Sequence, residues 1–541
     1  MAGGLLNLIA VGSQNVILTG NPKKTFFKFT YTKYSNFGLQ KFRLDYEGSK
    51  VINTSDKTKF KFKVPRYGDM LMDTFLVLRL PHIWSPIYWN EQTQDYVPYE
   101  FKWIENLGTQ IIEELEVYVG GEILQRVNGQ YLTALVQRDF TNTQNDLYNK
   151  MTGNTAEFND PANFGQNGGN YPNAQFSGTQ GGAQPSIVGR DLYVPLNVWF
   201  TLASKLAFPL VALQYNELHI EVTLRPVQEW FTIREVNETE DALTGPCTYS
   251  HIQPNFNVAA QQFYTFLQSP PPNVDPDSGD PIPLVYTEKR TDWNADVHLI
   301  STYGFLSDDE RRVFASQPQN YLIKEVYEYK FHNVVESQKI ELNSLGLVAE
   351  WMFFFRRSDA NLRNEWSNYT NWPYNYPPMQ LSAPPAPIPG TLSITGPYNV
   401  CYKKDILLDL GILLDGKYRE NVLAGGIYNY VEKYLRTTGN APDGLYVYNF
   451  AVNGSILDFQ PSGAINLSRF NTIEYEFTTI TPPRDTQAQT FQICDPTTNE
   501  LVGVNKNNWQ IYEYTYDLYI YEERYNMVKF ESGNAGLMYA R

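Results

Sequence analysis

Cysteine and histidine are scarce in this chain of 541 residues. The three cysteines, Cys247, Cys401 and Cys494, are widely spaced and odd in number, which favours synthesis in a reducing compartment such as the cytoplasm over a disulfide framework. The five histidines are isolated and lack the i, i+4 or CxxC-type spacing that metal sites use. The sequence therefore predicts no metal site and no cofactor.

Positive charge is also in deficit. The chain has 43 Lys and Arg against 58 Asp and Glu, a formal net charge of -15 at pH 7. Proteins that coat nucleic acid neutralise its phosphates with a surplus of basic side chains. We therefore expect no direct contact with nucleic acid.

Catalytic motifs are missing. The chain contains no GxSxG nucleophile elbow, no dinucleotide fingerprint and no GxxxxGK(S/T) phosphate loop. The acidic run Asp308, Asp309 and Glu310 suggests the paired carboxylates of a glycosidase, but Ser307 and Glu310 form a capping-box pattern. Carboxylates in a first helical turn complement the helix dipole, so we predict a short helix there, no catalytic residues and no enzyme.

Long hydrophobic runs are absent. The apolar start, MAGGLLNLIAVGSQNVIL, has no basic n-region and is interrupted by polar residues and glycine, so it fits neither a signal peptide nor a membrane span. The sequence predicts a soluble or peripheral protein whose residues 1–25 form an N-terminal arm outside any folded domain.

Aromatic residues are abundant. They make up 15% of the chain, with 39 Tyr and 31 Phe, and such residues favour strands and interfaces. A single hydrophobic core stops growing at roughly 250 to 300 residues, so 541 residues predict two β domains.

The two halves of the sequence repeat one order of elements. Each has a hairpin turn, at Gly120-Gly121 or Asp415-Gly416, then a short helix, then an alternating strand entered through Tyr215-Asn216 or Phe470-Asn471. Such a duplication builds symmetry, which a shell or lattice needs more than a catalyst does.

These patterns predict boundaries. We expect a first β domain at 26–226, a connection at 227–255, a second β domain at 256–530 and a C-terminal tail at 531–541. Early strands are predicted at 26–34, 60–64 and 75–80, and a long loop at 82–103.

Five Asn-x-Ser/Thr sequons occur in the chain. Asn53, Asn237 and Asn368 are candidate glycosylation sites, whereas Asn453 and Asn466 lie in or beside predicted strands. The missing signal peptide conflicts with secretory glycosylation at any of them.

Four segments in order resemble the signatures of one protein family. They are GGLLNLIAVGSQNVILTGNPKKTFFKFTYTKYSNF from Gly3, YVPLNVWFTLASKLAFPLVALQYNELHIEV from Tyr193, SDDERRVFA from Ser307, and PSGAINLSRFN with YNMVKFESGNAGLMYAR near the C-terminus. The chain resembles the major capsid proteins of large icosahedral nucleocytoplasmic DNA viruses, those of algae and protists and the iridoviruses.

The resemblance implies an all-β fold of two consecutive eight-stranded jelly-roll sandwiches, with short helices and long surface loops. It further implies a homotrimer that forms a pseudo-hexagonal capsomer of the virion's outer shell, made in the host cytoplasm. Neighbouring capsomers, minor capsid proteins and an internal membrane are the implied partners, and segments 82–103, 142–189 and 358–399 are implied to face outward. The main alternative is a carbohydrate-binding or carbohydrate-cleaving β-sandwich, since jelly rolls also host lectins.

Overall fold

Strands dominate the computed structural model, and no described helix exceeds eleven residues. The described residues are 3–49, 51–90, 95–174, 184–234, 236, 251–272, 277–377, 399–485, 490–498, 500–506 and 512–539. No helix in these ranges is long and apolar enough to cross a membrane.

The first sandwich pairs two four-stranded antiparallel sheets. Its strands are β1 (Phe37–Asp45), β2 (Thr58–Lys63), β3 (Met70–Arg79), β4 (Ile112–Val119), β5 (Glu122–Val127), β6 (Asp191–Pro195), β7 (Leu218–Leu224) and β8 (His298–Leu306). One sheet has the order β1-β8-β3-β6 and the other β2-β7-β4-β5. Alternating burial, as along β4, turns one face of each sheet toward a common core.

The second sandwich repeats this arrangement. Its strands are β9 (Gln319–Val334), β10 (Ser337–Glu341), β11 (Leu347–Arg357), β12 (Leu407–Leu414), β13 (Lys417–Ala424), β14 (Leu445–Asn449), β15 (Ile473–Thr479) and β16 (Tyr516–Glu531). The sheet orders are β9-β16-β11-β14 and β10-β15-β12-β13, the same as in the first sandwich, strand for strand. The predicted fold of two eight-stranded jelly rolls is confirmed.

Both predicted hairpin turns are present. The β4–β5 turn has φ of 59° at Gly120 and 93° at Gly121, and the β12–β13 turn has 47° at Asp415 and 72° at Gly416. Two-residue hairpin turns of type I′ need positive φ at both positions, which Gly and Asp tolerate better than most residues. The two turns therefore occupy equivalent places in the repeat.

Shorter elements decorate the sandwiches. The minor strands are Val51–Asn53, Ile87–Asn90, Asp95–Pro98, Lys102–Trp103, Phe208–Pro209, Phe231–Arg234, His251–Ile252, Asp292–Asn294, Ile465–Asn466, Thr490–Cys494, Leu501–Lys506 and Asn534–Leu537. The α-helices are Gly3–Ile9, Val16–Thr19, Leu107–Gln110, Gly129–Asp139, Asn142–Thr152, Ala156–Asn159, Asp308–Ser316 and Glu432–Arg436, and Ile427–Val431 is a π-helix. The predicted helix after Ser307 is therefore present, although the Ser307 side chain makes no capping hydrogen bond.

Several predicted boundaries are wrong. Residues 26–34 form no strand, because their aromatic side chains stay exposed and no neighbouring strand pairs with them among the described residues. Strand β8 lies between β1 and β3 of the first sandwich, so the second jelly roll does not begin at 256 and the division falls between Leu306 and Gln319. Within the predicted tail, Asn534–Leu537 pairs with β16. Segment 82–103 contains short strands.

Long connections collect at one end of each sandwich. Because neighbouring strands are antiparallel, the β1–β2, β3–β4, β5–β6 and β7–β8 connections leave one end and the others leave the opposite end. The first set includes residues 80–111 and 128–190, and the second includes the two-residue turn at 120–121. We call the end with the first set of connections the loop end and the opposite end the turn end, and we use the same names for the equivalent ends of the second sandwich.

The two sandwiches lie side by side with like ends together. At the loop end, Trp366 Nε1 donates to the Glu229 carbonyl at 3.1 Å. At the turn end, the Gln214 N–H donates to the Gly533 carbonyl at 2.9 Å. On β11, Trp351 and its alternate neighbours belong to the second core, whereas Met352 and Phe354 belong to the cluster of the first sandwich. Strand β11 is thus buried on both faces.

Candidate assembly surfaces

One helix of the first jelly roll lies at the contact between the two sandwiches. This helix, Gly129–Asp139, follows the β4–β5 hairpin, and we call it the buried helix. Its N-cap Asn128 accepts a hydrogen bond from the Tyr131 N–H at 2.8 Å, which satisfies an otherwise free helical donor. All its residues except Gln137 are buried, because one side packs on the first core and the other on the β9-β16-β11-β14 sheet.

A cluster of charges lies buried between the helix and that sheet. Arg138 Nη1 lies 2.9 Å from Glu523 Oε1 and also pairs with Glu350, while its Nη2 lies 2.7 Å from Asp139 Oδ2. Lys324 Nζ lies 3.0 Å from Glu523 Oε2. The Arg138, Asp139, Glu350 and Glu523 side chains have no exposed surface.

The carboxylates of this charge cluster titrate differently. Burial raises the pKa of Glu350, and the attraction of Arg138 does not offset it. Burial acts on Glu523 too, but the attraction of Arg138 and Lys324 outweighs burial and holds the pKa of Glu523 below its ordinary value. A proton held by Glu350 removes one negative charge from this buried site, which lowers the cost of burying the cluster.

The charge cluster also forms hydrogen bonds with loop residues of the second jelly roll. Asp139 Oδ2 accepts from the Ile456 N–H at 2.9 Å, and Lys324 Nζ donates to the Gly454 carbonyl at 2.7 Å. Tyr131 Oη donates to Glu523 Oε1 at 2.9 Å. These directional bonds set the orientation of one sandwich against the other.

The largest exposed apolar stretch is the N-terminal segment, residues 3–36. None of the side chains in its helices Gly3–Ile9 and Val16–Thr19 is buried. Leu18 is 90% exposed and Phe27 99% exposed. A stretch of this kind marks a surface for association.

A second exposed apolar surface follows the β12–β13 hairpin. The continuous helix made of Ile427–Val431 and Glu432–Arg436, which we call the exposed helix, occupies the place in the repeat that the buried helix has in the first jelly roll. Tyr430, Val431, Tyr434 and Leu435 are all exposed, Tyr434 by 87%.

A cleft of about 560 Å³ opens between the loop ends. Trp103, Trp366 and Glu105 are among its lining residues, and burial, with repulsion from Glu365, raises the pKa of Glu105. Glu365 itself is held by Arg363 at 2.6 Å and by Asn368 at 3.1 Å. Those bonds give Glu365 a structural role in the loop.

The candidate glycosylation sites differ in accessibility. Asn53 is exposed at the end of a short strand. The Asn368 amide donates to Glu365 Oε1 at 3.1 Å and to the Trp372 carbonyl at 2.7 Å, so a glycan there would displace internal bonds. Asn237 lies outside the described residues.

The acidic run after Ser307 lies in the first turn of the Asp308–Ser316 helix. Arg311 of this helix pairs with Asp308 at 3.1 Å and with Asp69 at 2.9 Å. The described part of the chain contains no group of three or more His, Cys, Asp or Glu residues that could hold a metal ion.

Sequence reasoning missed the charge cluster. Its members are scattered over three strands and a helix, and each is an ordinary charged residue in its local pattern. The adjacent Arg138-Asp139 pair at a helix C-terminus is the only local signal, and nothing in it indicates burial.

Two family models match the chain in succession. Residues 25–267 match "Major capsid protein N-terminus" and residues 310–536 match "Large eukaryotic DNA virus major capsid protein". The major capsid protein of Phaeocystis pouchetii virus is 26% identical and that of Paramecium bursaria Chlorella virus 1 is 25% identical, each alignment covering 100% of both chains. The probable capsid protein 4 of Acanthamoeba polyphaga mimivirus is 22% identical, over 88% of this chain and 92% of the relative.

Solved structures share the fold. The quasi-atomic model of the PBCV-1 virus capsid is 20% identical with a TM-score of 0.60, covering 96% of this chain and 100% of that one. The Faustovirus major capsid protein is 11% identical with a TM-score of 0.58, covering 96% and 94%. The sequence relatives are named as capsid proteins and not as enzymes, which confirms the prediction of a structural protein.

Proposed function

Because the chain belongs to the major capsid protein family of large eukaryotic DNA viruses, we propose that three copies form a pseudo-hexagonal capsomer that tiles an icosahedral shell. The coarser function, a structural component of the virion, comes with the family. The trimer, its orientation and its partners are the proposal.

The observation that carries the trimer is the repeated strand order in two sandwiches whose like ends lie together. Three such chains around a three-fold axis place six similar units in a ring, because head-to-tail contacts form a closed ring when the rotation between neighbouring copies closes. A hexagon-like outline suits a surface that is tiled without gaps.

The loop end is proposed to face outward and the turn end inward. The described parts of segments 82–103, 142–189 and 358–399 belong to connections at the loop end, and residues 91–94, 175–183 and 378–398 lie outside the described residues. Long, variable connections are tolerated where no neighbour has to pack on them. A protease confined to the outside of intact particles should cut within these segments; cuts confined to the turn end would reverse the orientation.

The N-terminal segment is proposed to act as an arm along the inner base of the capsomer. It precedes β1, whose first residue lies at the turn end, and its exposed leucines and phenylalanines need a partner surface. Neighbouring capsomers, minor capsid proteins and an internal membrane are the proposed partners. We do not propose nucleic acid as a partner, because a chain with a net charge of -15 would repel its phosphates.

Two smaller proposals concern biosynthesis. Cys401 and Cys494 are free thiols, which fits synthesis in the host cytoplasm. If the protein is glycosylated, Asn53 is favoured over Asn368, because Asn53 is exposed whereas Asn368 is half-buried.

Light scattering of the purified protein tests the trimer. Three chains of 62.2 kDa give a particle of about 187 kDa. The carbohydrate-binding alternative requires instead a monomer that binds glycans through the cleft at the loop end. A monomer at micromolar concentration that also binds a glycan array would favour that alternative.

A further inference from the structure

Both jelly rolls contribute residues to the cleft between the loop ends. The first contributes Trp103 and Glu105 from the β3–β4 connection and Gln137 from the buried helix, and the second contributes Trp366 and Tyr369 from the β11–β12 connection. The volume of the cleft is about 560 Å³. Sites for small molecules commonly have volumes of about 300 to 1,000 Å³, so the cleft has room for a small organic ligand.

Three residues that line the cleft have polar side-chain atoms without a partner. Trp103 Nε1, Gln137 Oε1 and Tyr369 Oη are buried and form no hydrogen bond within the described part of the chain. Trp103 and Tyr369 are each only 1% exposed. Buried polar groups usually have hydrogen-bond partners, because an unpaired group loses its hydration without compensation. Three such atoms around one cleft indicate a ligand that would pair with them.

Glu105 adds a carboxylate without a partner. The residue is exposed to solvent, and no group among the described residues donates a hydrogen bond to its carboxylate or forms an ion pair with it. The pKa of Glu105 is raised, because protein surrounds it on most sides and because Glu365 repels its negative charge. A ligand that donates hydrogen bonds to this carboxylate would stabilise its charged form.

These four groups together select the chemistry of the ligand. The Trp103 Nε1–H group can only donate a hydrogen bond, whereas Gln137 Oε1 and the Glu105 carboxylate can only accept one. Tyr369 Oη can do both. A cation would satisfy only the acceptors, and an anion would satisfy only the donors. Hydroxyl groups both donate and accept, so a ligand that carries several hydroxyls can satisfy the whole set.

The charged side chains that line the cleft favour a neutral ligand. Lys404 Nζ lies 3.1 Å from Asp443 Oδ2, and Arg363 Nε lies 2.6 Å from Glu365 Oε2. These two cations are therefore already paired with carboxylates. An anionic ligand would gain little from them and would be repelled by the unpaired carboxylate of Glu105.

We propose that the cleft at the loop end binds a neutral carbohydrate, with Trp103, Glu105, Gln137 and Tyr369 as its hydrogen-bonding residues. The inference rests on the proposed outward orientation of the loop end, because the carbohydrate then belongs to a surface that the particle meets from outside. It differs from the alternative of a carbohydrate-binding monomer, because the site lies within a capsid protein and does not depend on the number of chains in the assembly.

Titration of the purified, unmodified protein with simple sugars tests the ligand class. Glucose, galactose, mannose and maltotriose are the neutral probes, and glucuronic acid and glucosamine are an anionic and a cationic probe of similar size. At least one neutral probe should bind with a Kd of about 1 mM or tighter, and more tightly than either charged probe. Calorimetry and saturation-transfer NMR measure this. Failure of every neutral probe to bind, or a preference for a charged probe, would overturn the proposal.

Removing one hydroxyl separates binding from folding. Tyr369→Phe deletes an oxygen that has no partner within the described protein, so the melting temperature of the variant should equal or exceed that of the unmodified protein. Its affinity for the neutral sugar should nevertheless fall by about fivefold. Tyr475→Phe is the matched control, because Tyr475 Oη is also buried without a partner but belongs to the core of the second jelly roll. The control should bind sugar as the unmodified protein does, and an unchanged affinity in Tyr369→Phe would overturn the site.

Glu105→Gln tests the carboxylate through selectivity. Glutamine is neutral and nearly the same size, so the variant should no longer repel an anionic sugar. The ratio of the glucuronic acid Kd to the glucose Kd should therefore fall by about tenfold. An unchanged ratio would contradict the assigned contact between Glu105 and the sugar.

Light scattering of the same samples distinguishes failure of the site from failure of the capsomer. A trimer that binds no neutral sugar would overturn the site and leave the trimer standing, whereas a monomer that binds sugar would overturn the trimer and leave the site standing. Beads coated with the sugar that binds are too large to enter a shell. Isolated trimers and intact particles should both adhere to them, and adhesion of the trimers alone would overturn the outward orientation of the cleft.

Discussion

Arg138 and Glu523 form an ion pair across the two jelly rolls, with 2.9 Å between Nη1 and Oε1 and no exposed surface on either side chain. Arg138 lies in the last turn of the buried helix of the first sandwich, and Glu523 lies on β16, the longest central strand of the second. The pair connects elements 385 positions apart in sequence, so it forms only when both sandwiches have folded and docked.

Removing the positive charge of Arg138 should destabilise the protein. We expect Arg138→Met to lower the free energy of unfolding by about 3 to 5 kcal/mol, because buried carboxylates lose their partner. Denaturant unfolding at fixed protein concentration measures this. Arg43→Met is the control: its pair with Asp296 is largely exposed and should contribute at most about 1 kcal/mol. Equal losses in the two variants would contradict the assigned role of the charge cluster.

Stability should depend on the ionisation of Glu350. Its pKa is raised in the folded protein by burial and is about 4.3 when unfolded. The unfolded chain therefore loses this proton first, and stability falls as the pH rises from about 4 through the raised folded pKa. The charged side chains around Glu350 do not change their ionisation over this pH interval. The pKa of Glu523 is lowered and the pKa values of Arg138 and Lys324 are raised, so all three stay charged.

Glu350→Gln tests that dependence, because glutamine is neutral at every pH and nearly the same size. The melting temperature of the variant, relative to the unmodified protein, should rise steadily between about pH 5 and 9. A difference that stays constant with pH would show that Glu350 does not titrate in this range.

Gly454 allows no side chain. A Cβ placed there would lie 1.9 Å from Glu350 Oε2 and 2.2 Å from Asn449 Oδ1, so Gly454→Ala should destabilise the protein by roughly 1 to 3 kcal/mol through overpacking. Gly503→Ala provides the comparison, since nothing lies within 4 Å of its Cβ position. Thermal unfolding of the two variants should differ; matching melting temperatures would mean that the loop at Gly454 moves freely.

Truncation should separate folding from assembly. Deleting residues 2–20 should leave a folded trimer, because β1 begins only at Phe37 and no described residue of helices Gly3–Ile9 and Val16–Thr19 is buried. The exposed leucines of that segment should be needed for packing of capsomers into shells. Light scattering of the trimer and electron microscopy of assembly reactions give the two readouts, and loss of the trimer would show that the segment belongs to the first jelly roll.

Local pattern predicted much of the fold correctly. The hairpins at Gly120-Gly121 and Asp415-Gly416 follow from positive φ, and the helix after Ser307 follows from its polar start and acidic first turn. The prediction of a strand at 26–34 is wrong for a physical reason. Alternation and aromatic content indicate that one face of a segment could be buried, but a strand also needs a neighbouring strand with which to share its hydrogen bonds.

The placement of β8 shows the same limit. His298–Leu306 falls within the second domain predicted at 256–530, but it is a strand of the first sandwich. Strand β8 pairs with β1 and β3, and this pairing depends on contacts between residues far apart in the sequence.

The sequence by itself determined the all-β class, the duplication, the hairpin turns and the absence of recognisable catalytic or metal-binding motifs, because each depends on spacing within a few residues or on composition. Tertiary structure decided which strands belong to which sandwich, that Arg138, Glu350 and Glu523 meet in a buried cluster, and that one of two equivalent helices is covered while the other is exposed. Those outcomes depend on contacts between residues hundreds of positions apart, and local periodicity carries no information about which faces come together.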